Sequence, residues 1–311
     1  MKCVHDIERQ IRDIIIRPRI QHALMQDRRD WMQLCASLDV IGDAQLAIDA
    51  HSTTAFPDSA GSAYLIVFGL FQACFLQQDA TTHLSEVLHV HLPADAGLSE
   101  VRNTRNDIIG HPTKRGSQNS RTAHAISRPS ISQWRIDVIS TTAATAQVAL
   151  RHVDIRKKLE LQRKGIEQHL GMILRELKNR EQEHAMSFVH EKLADMFPAT
   201  LSYHCEKIFE GTYRPSNIPL AAVNLQMVHD VVEKFRSALT NRGELPGNDF
   251  INYKFDELRN PFNRLRGFFS GNSPLNAEDA YAITFFLRAK VQELAELARE
   301  MDESYNALTS K

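Results

Sequence analysis

The chain has 311 residues, with 37 Lys and Arg against 38 Asp and Glu and a formal net charge of −1. Such a length allows two domains, because single cores usually stop growing at about 250 to 300 residues. With so little net charge, no global field draws the protein onto nucleic acid or an anionic membrane, and any such contact must come from a local patch.

The cysteines and the N-terminal sequence indicate a reducing compartment. Cys3, Cys35, Cys74 and Cys205 are far apart and form no C-x-x-C pair, and MKCVHDIERQ lacks the apolar stretch of a secretion signal. The most apolar run, residues 63–76, is shorter than the roughly 20 residues of a membrane span. We therefore expect a cytoplasmic protein with reduced thiols and no membrane span.

The first half of the chain has the periodicity of helices. Apolar residues three and four apart predict an amphipathic first helix, and Pro18 ends it. We expect a turn or kink near Asp39 and Gly42 in the second helix. The third is apolar on nearly every face in its first half, which predicts the central helix of a bundle. The predicted helices are residues 4–16, 20–51, 62–91 and 98–109.

The second half predicts a small β-hairpin and then more helices. The hairpin strands are residues 123–127 and 130–140. Residues 146–197 read as one long helix or two consecutive ones, and residues 220–239, 255–269 and 277–305 as further helices. We therefore predict a mainly α protein: a helical domain with a small hairpin, residues 1–145, and a helical C-terminal domain, residues 146–311, made of a long helix and a bundle.

A common apolar stripe runs along the predicted long helix. It contains Ile155, Leu159, Ile166, Leu170, Ile173 and Leu177. Three interpretations stay open for it: the core of the chain, a dimer seam, or a surface for another protein.

Polar chemistry is concentrated in residues 101–116, VRNTRNDIIGHPTKRG, at a predicted helix end and in the turn after it. Leu98, Val101, Arg105 and Ile108 follow a helical spacing, so Arg105 lies on the apolar stripe. A guanidinium in that position needs a compensating anion.

His111 follows Arg105 by six residues, which on a continued helix would place the two on different faces. Gly110 permits a left-handed turn and Pro112 forbids continuation, so we expect His111 to fold back toward Arg105. His111 could then exchange a proton near neutral pH, while Arg105 grips phosphate oxygens. A structural alternative stays open, because helix carboxyl ends favour cations and Arg105 could pair with a carboxylate.

Arg105, Asn106, DIIG and His111 resemble the signature of the HEPN superfamily (higher eukaryotes and prokaryotes nucleotide-binding): Arg, a polar residue, a short spacer, then His. The preceding apolar helix, YLIVFGLFQACFLQQDATTHL, is similar to that of bacterial members. The resemblance covers roughly residues 1–145. Thr113 stands where members that an antitoxin modifies carry Tyr, so that regulation is not implied.

The resemblance implies a metal-independent endoribonuclease that needs no cofactor and acts on RNA as a homodimer, with two Arg/His motifs meeting at one cleft. It implies that Arg105 and His111 are catalytic and that Asn106 orients or supports them. A role as a toxin or antiviral defence effector follows from the superfamily alone.

Three further cations are candidate RNA-binding residues because they lie beside the motif: Arg102, Lys114 and Arg115. The alternative for the last two is exposed loop cations that only promote solubility. His83, His89 and His91 lack an accompanying Asp or Cys pattern, so we predict no metal site.

A rival hypothesis from a different class is a non-catalytic interaction or sensor subunit that binds a protein partner or a nucleotide. It is favoured by the size of the C-terminal half, which ribonuclease chemistry does not require. That helical half is where we would expect a protein partner to bind.

Overall fold

The computed structural model describes residues 3–116, 121–142 and 147–310. It is mainly helical with one small antiparallel sheet, as the sequence predicted. The helices are α1 (Val4–Ile15), α2 (Pro18–Leu24), α3 (Arg28–Thr53), α4 (Ala60–Val87), α5 (Ala96–Arg105), α6 (Ile155–Phe188), α7 (Leu201–Tyr213), α8 (Ile218–Asn241), α9 (Asp249–Phe269) and α10 (Ala277–Thr309). The strands are β1 (Thr122–Ile126), β2 (Arg135–Thr142) and β3 (Val148–Asp154), and a π-helical turn, Asn106–Gly110, directly follows α5.

The chain divides into two compact units. The first contains Met1–Ile16 and Leu24–Leu177, and the second contains Arg17–Ala23 and Lys178–Lys311. The domain boundary that we predicted, between residues 145 and 146, lies outside the described residues, whereas the two units divide inside α6. Pairing with β2 ties β3 to the first unit, to which residues 155–177 of α6 also belong.

Side-chain caps fix where the helices around the candidate site begin. The hydroxyl of Ser59 accepts a hydrogen bond from the N–H of Ser62 at the start of α4. At the start of α5, the carboxylate of Asp95 accepts one from the N–H of Leu98. These caps satisfy N–H groups that a first helical turn leaves unpaired.

Helix α3 is continuous through Asp39 and Gly42, so the turn that we predicted there is wrong. A Cβ atom at Gly42 would meet nothing within 4 Å. This glycine therefore faces open space in a regular helix, where its cost is a modest loss of helix propensity rather than a bend.

Helix α4 is the central helix of the first unit, as its apolar sequence predicted. Val67, Phe71 and Cys74 are at most 1% exposed and belong to a core that also contains residues of α3, α5 and the sheet. By length and composition, α4 is the one helix of the described residues that could cross a membrane, a test that the core helix of a soluble protein also passes. Its buried face fixes the rotation of α4 and the directions of Gln72 and Phe75.

The sheet has the order β1-β2-β3, and both strand pairs are antiparallel. The predicted hairpin corresponds to β1 and β2, with Ala125 opposite Ile139. The residues of β3 were predicted to be part of the long helix, which is wrong. Val153 is the one buried residue of β3, so the strand lacks the alternating burial that a sequence pattern would reveal.

Helix α6 ends at Phe188, before the predicted residue 197. Its apolar stripe contributes to the core of the first unit. Ile155, Ile166 and Leu170 are fully buried. Of the three interpretations of this stripe, the structure supports the core.

A buried glutamine network joins α4, α5 and α6. The amide of Gln78 donates to Oε1 of Gln162 at 2.7 Å and to the carbonyl oxygen of Leu98 at 3.2 Å. The amide of Gln162 donates to Oε1 of Gln77 at 3.0 Å. Satisfied buried polar groups favour one packing arrangement over its alternatives. The network therefore fixes α5, the helix that carries Arg105, against its neighbours.

The second unit is a helical bundle around its own core. Ile208, Phe235, Leu265 and Val291 are fully buried there, one from each of α7 to α10. We predicted α8, α9 and α10 from the sequence, but not α7.

Two glycines of α6 provide a matched test of how α5 packs. A Cβ atom at Gly165 would lie 2.5 Å from Cγ of Leu98 in α5, whereas one at Gly171 would meet nothing within 4 Å. Gly165→Ala should lower the free energy of unfolding by about 1–3 kcal/mol, because it overpacks a filled site. Gly171→Ala should leave it unchanged or raise it by up to about 1 kcal/mol. Urea denaturation measures both, and equal stability of the two variants would contradict this packing.

Candidate functional site

The guanidinium of Arg105 is held by side chains of α4 and of the turn after α5. Its Nε and Nη2 donate to Oε1 of Gln72 at 3.2 and 2.9 Å, and its Nη1 donates to Oδ1 of Asn106 at 3.1 Å. Its Cζ lies 4.3 Å from the centre of the Phe75 ring, a cation–π distance. Gln72 and Phe75 are three residues apart and share a face of α4. The guanidinium is therefore oriented by uncharged partners.

Arg105 has no carboxylate partner among the described residues, although it is half-buried. Cζ of the neighbouring Arg102 lies 4.5 Å from the centre of the same Phe75 ring, but Arg102 forms an ion pair with Asp79. The described part of the chain therefore lacks the carboxylate that the structural alternative requires as a partner of Arg105. A partly desolvated guanidinium without a counter-charge favours binding of an anion.

The turn after α5 brings Gly110 against Arg105. In this π-helical turn, the N–H of His111 donates to the carbonyl oxygen of Asn106 at 2.8 Å. A Cβ atom at Gly110 would lie 2.6 Å from Nη1 of Arg105 and 3.2 Å from Oδ1 of Asn106. The glycine thus leaves the room that the guanidinium occupies. The left-handed conformation that we predicted for Gly110 is wrong, because its φ is not positive.

His111 follows this contact directly, and its side chain is exposed. Its backbone is held on both sides: by its own N–H, and by the carbonyl oxygen of Pro112, which accepts a hydrogen bond from the N–H of His124 at 2.6 Å. Within the described residues no hydrogen bond joins His111 to Arg105. The structure therefore brings Arg105, Asn106 and Gly110 together and fixes the backbone of His111 beside them, with its ring open to a ligand.

Asp107, inside the same turn, is a buried carboxylate that ties the turn to the sheet. It forms ion pairs with Arg115 and, at 2.6 Å, with Arg151 of β3. Nε2 of His124 lies 3.5 Å from Asp107, yet burial lowers the pKa of His124 and the two arginines lower it further. The carboxylate of Asp107 does not offset this lowering of the His124 pKa, because Arg115 and Arg151 already neutralise its charge. His124 is therefore neutral at neutral pH and acts as part of the support.

The predicted RNA-binding residues differ in their surroundings. Lys114 is exposed and has no ion-pair partner among the described residues. Arg102 and Arg115 are ion-paired, and Arg115 also donates to the carbonyl oxygen and Oδ1 of Asn103, at 3.0 and 2.9 Å. Their charges are thus partly neutralised within the chain. RNA binding by these three residues stays a prediction.

Gln72 and Phe75 complete the site, and we did not predict either residue from the sequence. For Gln72 a signal was present, because it is the one amide in the apolar run of residues 63–76. A polar side chain at such a position needs a partner, which here is Arg105. Phe75 gave no signal, because an aromatic residue in an apolar helix is ordinary.

The described residues contain no group of three or more His, Cys, Asp or Glu that could hold a metal ion. The four cysteines are free thiols. Burial raises the pKa of the Cys74 thiol to about 12, which keeps this thiol protonated and unreactive.

Comparison with known proteins does not assign the chain to a family. A scan against protein-family models, a search of curated proteins and a search of solved structures each found no match. The resemblance to the HEPN superfamily therefore stays a prediction from the sequence.

Proposed function

We propose that this protein is a metal-independent endoribonuclease of the HEPN type, with Arg105 and His111 as catalytic residues and Asn106 as a positioning residue. One observation carries the proposal: the guanidinium of Arg105 is half-buried, is oriented by uncharged partners and has no carboxylate among the described residues. A phosphodiester supplies the missing negative charge, and a planar guanidinium can bind two of its oxygens at once.

The proposed reaction uses a nucleophile that the substrate itself carries. The 2'-hydroxyl oxygen attacks the adjacent phosphorus, the 2'-O–P bond forms and the P–O5' bond breaks. One group removes the proton of the 2'-hydroxyl and another protonates the leaving 5'-oxygen, and His111 performs one of these transfers. Arg105 stabilises the negative charge that builds on the phosphate oxygens. The products are a 2',3'-cyclic phosphate and a 5'-hydroxyl.

Cleavage of RNA by the purified chain should persist in EDTA, because no metal-bound water is needed as the nucleophile. Arg105→Ala and His111→Ala should each lower the cleavage rate by about 100-fold or more, without loss of helix content by circular dichroism. His83→Ala, another exposed histidine of the first unit, should retain full activity.

A matched RNA with deoxyribose at the scissile nucleotide should resist cleavage, since it lacks the nucleophile. Strict dependence on a divalent ion, or full activity of both site variants, would reject the mechanism.

The reaction needs two proton-transferring groups, and each chain offers one exposed histidine beside Arg105. A second copy of the chain would supply the other. Leu65 and Leu76 share a face of α4 with Gln72 and are 74% and 44% exposed, so this apolar face is available to a partner. A two-fold symmetric contact there would place two copies of the site at one interface. The proposal therefore includes a homodimer formed through α4.

Light scattering at micromolar concentration should give twice the chain mass of 35.3 kDa. Leu65→Lys should shift the protein to the monomer and reduce cleavage, because it puts a charge into the apolar contact. Leu46→Lys provides the control, since Leu46 of α3 is 70% exposed but lies outside this face. A wild-type monomer that cleaves RNA would contradict the shared site.

A non-catalytic interaction subunit is the second candidate, and the exposed aromatic side chains of the second unit favour it. Tyr213, Tyr281 and Phe285 are at least 50% exposed, and the rings of Phe209 and Tyr281 lie 5.1 Å apart. Aromatic residues are enriched in protein–protein interfaces. This candidate predicts binding of a protein partner that Arg105→Ala leaves unchanged.

A further inference from the structure

A second concave site lies in the first unit, beside the helix that carries Arg105. It is an open cavity of about 670 Å³, lined by the end of α4, the chain from residue 89 to residue 95, the start of α5 and His169 of α6. Sites for small organic ligands usually have volumes of about 300–1,000 Å³. The cavity is therefore large enough for one nucleotide.

His169 provides the strongest indication that the cavity holds a ligand. Its side chain lines the cavity and the residue is only 8% exposed. Its Nε2 is buried and has no hydrogen-bond partner within the described part of the chain. Nearly all buried polar groups are hydrogen-bonded, and leaving one without a partner is unfavourable. The ring thus keeps an unused hydrogen-bonding position beneath the wall of the cavity, which a bound molecule reaches when the ring rotates toward it.

The other walls combine flat or apolar surface with hydrogen-bonding groups. His91 and Pro93 offer faces against which a planar ring can stack, and the exposed carboxylate of Glu86 accepts N–H donors. His89 ends α4 in a left-handed conformation, with a φ of 52°, and the N–H of Val90 donates to the carbonyl oxygen of Ser85 at 2.8 Å. This helix cap fixes the backbone that leads to His91. A planar heterocycle with N–H groups at its edge matches these walls best.

Arg102 connects this cavity to the candidate catalytic site. It lines the cavity, and its Cζ lies 4.5 Å from the centre of the Phe75 ring, while Cζ of Arg105 lies 4.3 Å from the same centre. One aromatic ring therefore contacts both guanidinium groups. A nucleotide bound in the cavity would have its phosphate on the side where Arg102 and Arg105 lie.

We propose that the cavity is a nucleobase-binding subsite, in which His169 hydrogen-bonds the base and His91 stacks on it. The assignment of the base to an RNA strand rests on the proposed ribonuclease function. Recognition of the base itself rests on the cavity and on His169. Under this proposal the subsite selects which nucleotide lies next to the cleaved phosphate.

The test measures, by calorimetry, the binding of the four nucleoside 5'-monophosphates to the full chain. Every protein in the test also carries His111→Ala, so that RNA competitors are not cleaved. At least one nucleotide should bind. His169→Leu and His91→Ala should each weaken its binding by about tenfold, the loss expected for one hydrogen bond or one stacking contact. His83→Ala is the control, because His83 is exposed but does not line the cavity. Since His91 is also exposed, its variant separates loss of binding from misfolding.

Absence of nucleotide binding, or equal binding by all variants, would overturn the subsite. Displacement of the nucleotide by a short RNA would assign the base to an RNA strand, and failure of RNA to displace it would assign the subsite to a free nucleotide. If the wild type cleaves RNA, and His169→Leu and His91→Ala cleave every RNA sequence at the wild-type rate, the proposed subsite is rejected while the proposed ribonuclease function is retained. If nucleotides bind but RNA is never cleaved, the ribonuclease fails while the subsite stands.

Discussion

The arrangement around α5 depends on the guanidinium of Arg105. An amide and an aromatic ring hold this group, whereas most buried arginines pair with a carboxylate. Hydrogen bonds to a charged group contribute about 1.5–3 kcal/mol each, and a cation–π contact contributes about 0.5–2 kcal/mol. These contacts from Gln72 and Phe75 offset the partial burial of Arg105 but leave its charge unneutralised. The fold therefore orients the cation and keeps it available to an anion.

Several independent contacts keep the surroundings of that cation rigid. The core residues of α4 set the direction of Gln72, the glutamine network fixes α5, and the ion pairs of Asp107 tie the following turn to the sheet. The π-helical turn then places Gly110 under the guanidinium and His111 at the surface. Single π-helical turns occur frequently at functional sites. A site held in this way needs little reorganisation when a phosphate binds.

The sequence was sufficient for features with a local signal. The apolar run of α4 predicted a core helix, and the spacing of Leu98, Val101 and Ile108 predicted the buried face of α5 and of the turn after it. Features that depend on contacts distant in sequence were missed. Pairing with β2 overrode the helical pattern in β3, and two partners of Arg105, Gln72 and Phe75, lie 33 and 30 residues earlier in the chain. Gly110 was recognised as a helix end, but its role depends on where the Arg105 side chain lies.

The most direct test is the RNA cleavage rate of Gly110→Ala, because the added methyl group would lie 2.6 Å from Nη1 of Arg105 and displace it while every proposed catalytic group remains. We expect a loss of about 100-fold in this rate with an unchanged melting temperature, since the end of an arginine side chain can move without unfolding the turn. Gly42→Ala, where the methyl group meets nothing, should cleave at the wild-type rate. Equal cleavage by both variants would contradict the claim that the position of Arg105 governs the reaction.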